Sequence, residues 1–423
     1  MSEWKRYKLG ELLSIKHGWA FKSENYVKDG KTALVTLRNI SEDSRFVFDV
    51  NKTTYYGGEY PEEYNLNEGD LIIPLTEQVV GLLGNSAFVP NFSDIKFVLN
   101  QRVGKVQEKY EKIDKIFLKY LLSTTTVRTQ MEYRASGTKQ RNISPKDIYD
   151  IEVYIPELVI QKYIGRILYN LDKKIQINNQ INQELEAMAK TLYDYWFVQF
   201  DFPDQNGKPY KSSGGKMVYH PELKREIPEG WGVETLKDFE SKIITGKTPS
   251  RANSDNFGGE IPFITIGDIR GNTFIYSTSE TLTDLGASVQ QNKYLPEGSL
   301  CVSCIATVGE IGFTTEWSYT NQQINSIVFE DETNRYYLYF ALKNYFENAN
   351  AIAKTGNTFA NMNKEDFSGI RIILPRNEIK NNFHKITEPY FAQIKCLQGQ
   401  NQELTQLRDW LLPMLMNGQV KVE

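Results

Sequence analysis

Cysteine and histidine are scarce in this chain, with three of each among 423 residues. A structural zinc site needs four ligands, yet the Cys-x-x-Cys pair of Cys301 and Cys304 has no second pair, and the histidines are scattered. A redox pair belongs at the start of a helix, whereas residues 301–304 fall in a predicted strand. We therefore expect two strand cysteines that fill space, and no metal site.

Long apolar runs are also missing. No stretch approaches the roughly 20 apolar residues of a membrane-spanning helix, and the first residues lack the apolar core of a signal peptide. With so few cysteines, this predicts a protein of the reducing cytoplasm that makes no membrane contact.

Positive charge is not in excess either, because the net charge is −4 and the pI is about 5.7. Nucleic-acid binding would therefore need a local basic face.

No catalytic set of residues can be assembled from the sequence. Residues 246–248 (Gly-Lys-Thr) resemble the end of a phosphate-binding loop, but Ser241 stands where the first glycine is required. Asp204, followed by Glu222 and Lys224, imitates the magnesium-binding residues of a nuclease, although they flank a Gly- and Ser-rich linker instead of adjacent strands. We expect no catalytic residue. A nuclease remains the enzymatic alternative, to be tested with the purified chain, magnesium and DNA.

The sequence does contain a long amphipathic helix, predicted over residues 157–200. Its apolar residues recur in alternating steps of four and three, a heptad seam that Asn178 and Asn182 interrupt. At ~1.5 Å per residue such a helix would run about 60 Å, too long for burial in one small globule. The seam returns 219 residues later, and Asn-Gln-Glu-Leu occurs at both 182–185 and 401–404.

Two seams of equal length predict an antiparallel helix pair. Pro389 lies inside the second seam, so we expect a kink or a break there, and Pro413 and Gly418 predict its end. The residues expected at the helix-pair or partner interface are Leu171, Ile175, Asn182, Leu185, Leu192, Ile394, Leu397, Asn401, Leu404 and Leu411.

The rest of the chain forms two globules that repeat each other. Five segments recur in order: 34–40 as 263–269, 66–71 as 295–300, 100–103 as 321–324, 137–143 as 356–362 and 151–156 as 370–375. Strands are predicted at 33–37, 70–73, 87–89 and 151–155, and a helix at 114–131. The predicted order is a first globule (1–155), a first long helix (156–200), a Pro-, Gly- and Ser-rich linker (201–230), a second globule (231–375) and a second long helix (376–423). This is an α+β chain with an internal pseudo-twofold repeat.

A basic cluster lies near the end of the first globule despite the acidic balance. It comprises Arg128, Arg134, Lys139, Arg141 and Lys146, with Gln140 and Asn142 among them. Such side chains contact adenine edges or phosphates, and the alternative is a solvated loop. With the repeated segments, the DNA-binding candidates are Thr36, Arg38, Asn39, Arg102, Lys139, Gln140, Arg141 and Asn142 in the first globule, and Thr265, Asp268, Arg270, Gln322, Asn357, Thr358 and Asn361 in the second.

Together these features resemble the DNA-specificity subunit of Type I restriction–modification enzymes. The most specific stretch is 227–231 (Ile-Pro-Glu-Gly-Trp), similar to the start of that family's second target recognition domain, together with the linker 202–215. Segments 261–269 and 295–298 and the two Asn-Gln-Glu-Leu copies add to it, so the resemblance covers essentially the whole chain.

The resemblance implies two mixed α/β target recognition domains, separated by two long antiparallel helices like a coiled coil. Each domain would read half of a bipartite, asymmetric DNA site, with the half-sites roughly one helical turn apart. The chain would be no enzyme and would bind no cofactor itself. It would recruit two methyltransferase subunits and, through the complex, restriction and translocase subunits, and these partners would use S-adenosylmethionine, ATP and magnesium.

A scaffold with paired helices that binds only proteins is the alternative from another class. Phosphate contacts make DNA binding steeply salt-dependent. A steep salt dependence of DNA binding by the assembled complex would therefore exclude the scaffold.

Overall fold

The computed structural model describes residues 4–78, 81–92, 94–109, 111–353 and 361–420. It divides into two compact units, Met1–Lys174 with Leu404–Glu423, and Ile175–Glu403. Each unit has an α+β architecture and contains part of both long helices. None of the helices in these described ranges is long and apolar enough to cross a membrane.

The first unit is built on two sheets. Its described strands are β1 (Lys5–Lys8), β2 (Leu13–His17), β3 (Tyr26–Val27), β4 (Thr32–Val35), β5 (Tyr55–Tyr56), β6 (Asn65–Leu66), β7 (Leu71–Pro74), β8 (Thr76–Glu77), β9 (Ala87–Phe88), β10 (Lys96–Leu99), β11 (Val103–Glu108), β12 (Arg141–Asn142) and β13 (Glu152–Ile155). One sheet has the order β3-β5-β4-β10-β6 and the other β2-β11-β7-β9, while β1 pairs with β13 and β8 with β12. The predicted strands are thus present, with ends shifted by one or two residues.

The helices of the first unit are α1 (Leu9–Leu12), α2 (Lys115–Ser123), α3 (Thr125–Arg134), α4 (Pro145–Tyr149) and the beginning of α5 (Leu158–Tyr193). The single helix predicted over 114–131 is wrong, because Thr124 divides it with an extended backbone (ψ 147°). The Thr124 hydroxyl donates to the Leu121 carbonyl and accepts from the Val127 N–H. One threonine thereby ends α2 and caps α3.

The second unit repeats this plan. Its described strands are β14 (Met217–His220), β15 (Arg225–Pro228), β16 (Gly232–Thr235), β17 (Ile243–Thr245), β18 (Phe257–Ile264), β19 (Phe274–Ile275), β20 (Glu280–Leu282), β21 (Leu300–Ser303), β22 (Ile311–Thr314), β23 (Tyr319–Thr320), β24 (Ile324–Ile327) and β25 (Arg371–Leu374). Its short helices are α6 (Leu236–Phe239), α7 (Ile266–Ile269), α8 (Asp284–Ser288) and α10 (Lys364–Ser368), and α9 (Arg335–Ala353) is longer.

Sheet order and register agree between the two globules. The order β17-β24-β21-β22 copies β2-β11-β7-β9, and the pair β16–β25 copies β1–β13. Thr245 lies opposite Asn325 just as His17 lies opposite Gly104. The parallel pair β18–β23 likewise copies β4–β10. The internal repeat predicted from the sequence is therefore a repeat of strand pairing.

The linker is more ordered than its composition predicts. Strands β14 and β15 form an antiparallel hairpin. Phe202 is fully buried, with its ring stacked between Tyr210 (centroids 4.6 Å apart) and Trp231 (5.0 Å). The prediction of loop without core is wrong for this segment, since Phe202 belongs to the core of the second unit and Tyr210 packs against it.

The second long helix is continuous, contrary to the predicted kink or break. α11 runs over Asn377–Met416, through both Pro389 and Pro413. Pro389 cannot donate to the carbonyl of Lys385, but both residues are exposed, so water can hydrate that carbonyl. The helix ends two residues before Gly418, whose φ is +70°.

The paired parts of α5 and α11 run antiparallel within each unit. In the second unit Asn178 bonds to Asn401, while the Tyr193 ring lies 6.2 Å from that of Phe383. In the first unit Asp172 pairs with Arg408. After α5 the chain makes one π-helical turn over Asp194–Val198.

Candidate nucleic-acid interface

Two loops of the first globule leave the same edge of its five-stranded sheet. β4 and β10 are parallel neighbours, with Val35 opposite Leu99. Residues 36–39 and 100–102 therefore both follow carboxyl ends of strands at one edge. The fold thus brings together four candidates that are distant in sequence, namely Thr36, Arg38, Asn39 and Arg102.

An open groove of about 800 Å³ lies between these loops. Its lining also includes Tyr26, Val47, Asp49, Lys52, Thr53, Thr54, Gln78, Asn100 and Gln101. Arg38 and Arg102 are exposed, and within the described ranges neither side chain makes a hydrogen bond or ion pair. Lys52, by contrast, lies 3.2 Å from Asp49. The groove offers two free guanidinium groups beside amides and hydroxyls, which are the groups that contact phosphates and base edges.

Asn39 shapes the first of these loops. The Thr36 N–H donates to Asn39 Oδ1 at 2.8 Å, and Asn39 Nδ2 donates to the Val47 carbonyl at 2.9 Å. Asn39 is buried, so both ends of its amide are used inside the protein. Its observed role is to fix the short turn that presents Arg38 at the groove.

The basic cluster has more internal partners than its sequence indicates. Arg141 lies 3.0 Å from the Glu77 carboxylate, which is 1% exposed and also accepts the backbone N–H groups of residues 81–83. Leaving that buried carboxylate unpaired would be costly. Asn142 accepts a bond of 2.8 Å from the Thr76 hydroxyl. Arg141 and Asn142 therefore hold this loop onto β8.

The remaining side chains of the basic cluster differ in whether they have hydrogen-bond partners inside the protein. Arg128 donates to Asn85, and Arg134 donates to the Gln130 carbonyl. Lys139 is exposed, and Gln140, which is partly buried, makes only a long bond of 3.5 Å to Asn142. Lys139 and Gln140 are thus the members of this loop best able to reach a ligand.

The second globule places Thr265, Asp268 and Gln322 at the matching edge, where they follow the parallel strands β18 and β23. The Thr265 N–H donates to Asp268 Oδ2 at 2.7 Å, the same cap that Thr36 and Asn39 form. Asp268 Oδ1 accepts from the Ser279 N–H at 2.8 Å, so both oxygens of this carboxylate have internal donors. Arg270 is exposed and pairs with Glu310 at 3.3 Å.

Gln322 accepts a hydrogen bond from Thr248, which belongs to the Gly-Lys-Thr segment. Asn361 forms an isolated β-bridge with Ile305, as Asn142 pairs with Thr76 in the first globule. Asn357 and Thr358 lie outside the described residues. The candidates of the second globule are thus more often bonded to neighbours than those of the first.

A glycine supports the second loop of each globule. A Cβ at Gly18 would lie 2.1 Å from the Asn100 carbonyl oxygen, and one at Gly246 would lie 2.2 Å from that of Asn321. Real Cβ atoms essentially never come so close, so both positions exclude any side chain. The loops that carry Arg102 and Gln322 therefore rest directly on a glycine backbone.

Comparison with known proteins identifies the family. A family model described as the Type I restriction modification DNA specificity domain matches residues 1–187 and 228–406. The chain belongs to this family.

Individual relatives agree with this membership. The HindI specificity subunit of Haemophilus influenzae is 30% identical, with 99% of this chain and 100% of that protein covered. The MjaIX specificity subunit of Methanocaldococcus jannaschii is 24% identical over 73% of this chain and 69% of that one. The crystal structure of a Type I S subunit from M. genitalium has a similar fold, with a TM-score of 0.54, 14% identity and coverage of 98% and 96%.

The chain is thus a specificity subunit of a Type I restriction–modification system, the non-catalytic component that recognises DNA. The predicted fold class is confirmed as well. This decides against a scaffold that binds only proteins. The nuclease-like carboxylates have other partners in the structure, since Asp204 accepts from the N–H groups of Asn206 and Lys208 and Glu222 pairs with Arg371.

The helix pair of the specificity subunit has a polar centre. Asn178 Nδ2 donates to Asn401 Oδ1 at 2.9 Å, and Asn401 Nδ2 donates to Asn179 Oδ1 at 2.8 Å. Asn182 is buried, and neither atom of its amide has a partner among the described residues. Asn401 therefore pairs with Asn178 and Asn179 and not with Asn182, its counterpart 219 residues earlier in the repeat.

The other predicted interface residues lie on the inner faces of the two helices. Ile175, Ile394 and Leu397 are buried, and Leu171, Leu185, Leu192, Leu404 and Leu411 are partly buried. The seam inferred from heptad spacing is therefore the face that each helix turns inward. Their contacts with partner subunits remain a prediction.

Each unit contains a carboxylate that ties a globule to the helices. Asp172 of α5 accepts from the Tyr120 hydroxyl (2.7 Å), Lys119 (3.0 Å) and Arg408 (2.9 Å). We call these four residues the Asp172 cluster. Burial raises the pKa of Asp172, but the two cations and the tyrosine hydroxyl outweigh burial and leave it below its usual value.

In the second unit Glu186 of α5 accepts from the Tyr339 hydroxyl at 2.7 Å, from Lys343 and from Thr273. Tyr120 and Tyr339 lie 219 residues apart, the offset of the repeat. Sequence reasoning missed both carboxylates because their partners are far away in the chain. The repeated tyrosine was the available signal.

The cysteines behave as the sequence predicts. Cys301 lies in β21 and Cys304 directly after it, and both are buried. Burial raises the pKa of the Cys301 thiol to about 12 and that of Cys304 to about 11, so both stay protonated at neutral pH. No group of His, Cys, Asp and Glu among the residues described could hold a metal ion.

Proposed function

We propose that this specificity subunit reads a bipartite, asymmetric DNA site, with residues 1–155 recognising one half and residues 231–375 the other. The observation that carries this proposal is that the globules share sheet order and register but differ in loop side chains. Equal frameworks present their loops in equal geometry, while unequal side chains select different bases. Two unequal half-sites follow from that combination.

In the first globule we assign DNA contacts to Thr36, Arg38, Arg102, Lys139 and Gln140. The free guanidinium groups of Arg38 and Arg102 support this assignment, because arginine binds both phosphates and guanine edges. Asn39, Arg141 and Asn142 use their side chains inside the protein, and we assign them to loop positioning.

In the second globule the proposed contacts come from the candidates named from its sequence. They are Thr265, Arg270, Gln322, Asn357, Thr358 and Asn361. Asp268 is assigned to loop positioning for the same reason as Asn39, since its carboxylate is taken up by Thr265 and Ser279.

The helices would recruit two methyltransferase subunits and, through the complex, the restriction and translocase subunits. Exposed apolar residues on one face of α5 support this, since Ile177, Ile181 and Met188 are 42%, 37% and 53% exposed at heptad-like spacing. S-adenosylmethionine, ATP and magnesium would be used by those partners. This chain would bind no cofactor itself.

The test is to produce the chain with its methyltransferase subunit in cells and to map methylated adenines across the genome. We expect one motif with two defined half-sites and an unread gap. Cells with the methyltransferase subunit alone serve as the control and should lack the motif. A continuous motif, or the same methylation without this chain, would contradict the proposal.

A further inference from the structure

One backbone position is equivalent in the two globules but carries opposite chemistry. Trp19 follows Gly18, and Lys247 follows Gly246. The Trp19 N–H donates to the Leu99 carbonyl at 2.9 Å, and the Lys247 N–H donates to that of Thr320 at 3.0 Å. Leu99 and Thr320 each precede the Asn-Gln pair of a recurring segment. Trp19 and Lys247 therefore occupy the same place beside the candidate interface.

A second equivalent position lies next to the first. Tyr64 stands two residues before Leu66, and Lys293 stands two residues before Leu295, where the recurring segments 66–71 and 295–300 begin. Leu66 lies opposite Phe97 in the first globule, and Leu295 bridges to Ser318 in the second. The first globule thus has an aromatic pair where the second has two lysines.

The aromatic pair is uncharged and open to solvent. The rings of Trp19 and Tyr64 lie 5.2 Å apart, and Trp19 is 40% exposed. Lys16 covers the Tyr64 ring at 4.6 Å, but its charge is matched by Glu63 at 3.0 Å. The Trp19 carbonyl accepts from the N–H of Gln101, a groove residue, at 3.0 Å. An exposed indole therefore stands at the margin of the groove.

The lysine pair is cationic and has no carboxylate partner among the described residues. Lys293 Nζ donates to the Thr245 carbonyl at 2.8 Å, which holds it directly beside Lys247. Lys247 is exposed. Partial burial and the nearby ammonium groups of Lys247 and Lys364 lower the pKa of Lys293. Closely spaced cations without an acidic neighbour fit an anionic ligand such as a DNA phosphate.

We propose that the two globules contact DNA at this position in different ways, with the Trp19 ring packing against an uncharged surface of a nucleotide and Lys247 with Lys293 neutralising a backbone phosphate. This inference rests on the proposed function. It adds that the contacts made at this one position differ in salt dependence between the two half-sites.

The first test measures the slope of log K against log salt for the specificity subunit assembled with its methyltransferase subunits. The probe is a duplex that carries the methylated motif mapped in cells, between about 50 and 200 mM salt. We expect Lys247→Ala to reduce the magnitude of the slope by about one. Lys208→Ala, an exposed lysine of the linker, removes the same charge and should leave the slope unchanged.

The second test concerns the aromatic pair. Trp19→Ala should weaken binding roughly tenfold, as loss of an aromatic contact does, without changing the slope, and Trp19→Phe should retain most of the affinity. Trp317→Ala, which removes a tryptophan that is 49% exposed in the second globule, should leave affinity unchanged. Trp19→Lys should steepen the slope by about one, a gain that loss of folding cannot produce.

The outcomes distinguish failure of this inference from failure of the proposed function on which it rests. Binding by the wild-type complex with a steep slope that neither Lys247→Ala nor Trp19→Lys alters would overturn the inference and leave the proposed function standing. If Trp19→Ala binds as tightly as Trp317→Ala, the aromatic contact is also refuted. Failure of the wild-type complex to bind the mapped motif would overturn both.

Discussion

The side-chain amide of Asn178 donates to Asn401 Oδ1 across the helix pair at 2.9 Å. Asn401 Nδ2 in turn donates to Asn179 Oδ1, so the side-chain amides of the three asparagines form a continuous set of hydrogen bonds within the second unit. Asn182, one heptad step further along α5, is buried without a partner among the described residues. The asparagines of this seam are therefore unequal, although the sequence gives them equivalent positions.

Asn182→Leu should raise the stability of the specificity subunit. A buried amide without hydrogen bonds costs about 1–3 kcal/mol, and leucine would also bury apolar surface in the seam. We expect the free energy of unfolding to rise by about 1 kcal/mol or more, measured by denaturant titration. A clear loss of stability would show that the Asn182 amide is satisfied in solution.

Asn401→Leu is the matched substitution and should have the opposite effect. It removes the group that both Asn178 and Asn179 use, leaving their amides unpaired. We expect a loss of about 1–3 kcal/mol. Because a polar residue at a seam position fixes register, this variant should also discriminate less between DNA sites whose half-sites are separated by gaps of different length. Unchanged stability would mean that the asparagine chain contributes nothing.

Removing the carboxylate of the Asp172 cluster should be strongly destabilising. Asp172→Ala leaves the buried Lys119 and the partly buried Arg408 without their shared anion, and among the described residues only Arg408 keeps a second carboxylate, that of Asp409. We expect a loss of about 3 kcal/mol. Replacing the three charged members of the cluster by Lys119→Met, Asp172→Leu and Arg408→Met should recover much of that loss. A triple variant no more stable than Asp172→Ala would contradict this account.

The same carboxylate predicts a dependence of stability on pH. Because the pKa of folded Asp172 lies below its unfolded value of about 3.9, its contribution is complete above that value and disappears as pH falls through the folded pKa. The stability difference between wild type and Asp172→Asn should therefore shrink below about pH 4. Asp150→Asn, which affects an exposed pair with Lys8, should show a much smaller difference at any pH.

Exchange of the second globule should change half of the target. Replacing residues 231–375 with the matching segment of another specificity subunit should alter one half-site and preserve the other, because each globule has its own loops and sheets. Mapping of methylated adenines provides the measurement. If both half-sites changed together, the division between the two globules would be wrong.

Lengthening both helices should widen the gap between half-sites. Four residues inserted after Gln180 and four after Gln400 leave the Asn178–Asn401 pair intact and add about 6 Å to each helix at ~1.5 Å per residue. DNA rises ~3.4 Å per base pair, so the gap should grow by one or two base pairs with unchanged half-sites. An active complex with the original gap would show that another feature sets the spacing.

The repeat was predictable from the sequence because the recurring segments form equivalent strand pairs in the two globules. Residues 100–103 and 321–324 occupy the same place in equivalent sheets, so similar segments have similar neighbours. The groove was predictable only in part. Thr36 and Arg102 lie in recurring segments and could be proposed from the sequence. Tyr26 and Lys52 also line the groove, but they lie outside those segments and no local sequence pattern indicates their position.

Long-range partners account for the rest. Arg141 looks like a free cation in sequence, but Glu77 lies 64 positions earlier and the fold brings the two together. The break at Thr124 depends on one hydroxyl that bonds in both directions, which helical periodicity cannot detect. Pro389 was expected to interrupt its helix, yet it lies on an exposed face where the Lys385 carbonyl, which has lost its helical donor, is open to hydration.

The carbonyl oxygens beneath Gly18 and Gly246 also constrain how such proteins can evolve. Any side chain at either glycine would displace the loop resting on it, so under the proposed function a substitution there should weaken DNA binding without creating a new target. The adjacent exposed positions, Trp19 and Lys247, carry no such penalty and already differ between the two halves. Descendants of this chain should therefore change their DNA targets by substitution at positions such as Trp19 and Lys247, whereas Gly18 and Gly246 should be retained.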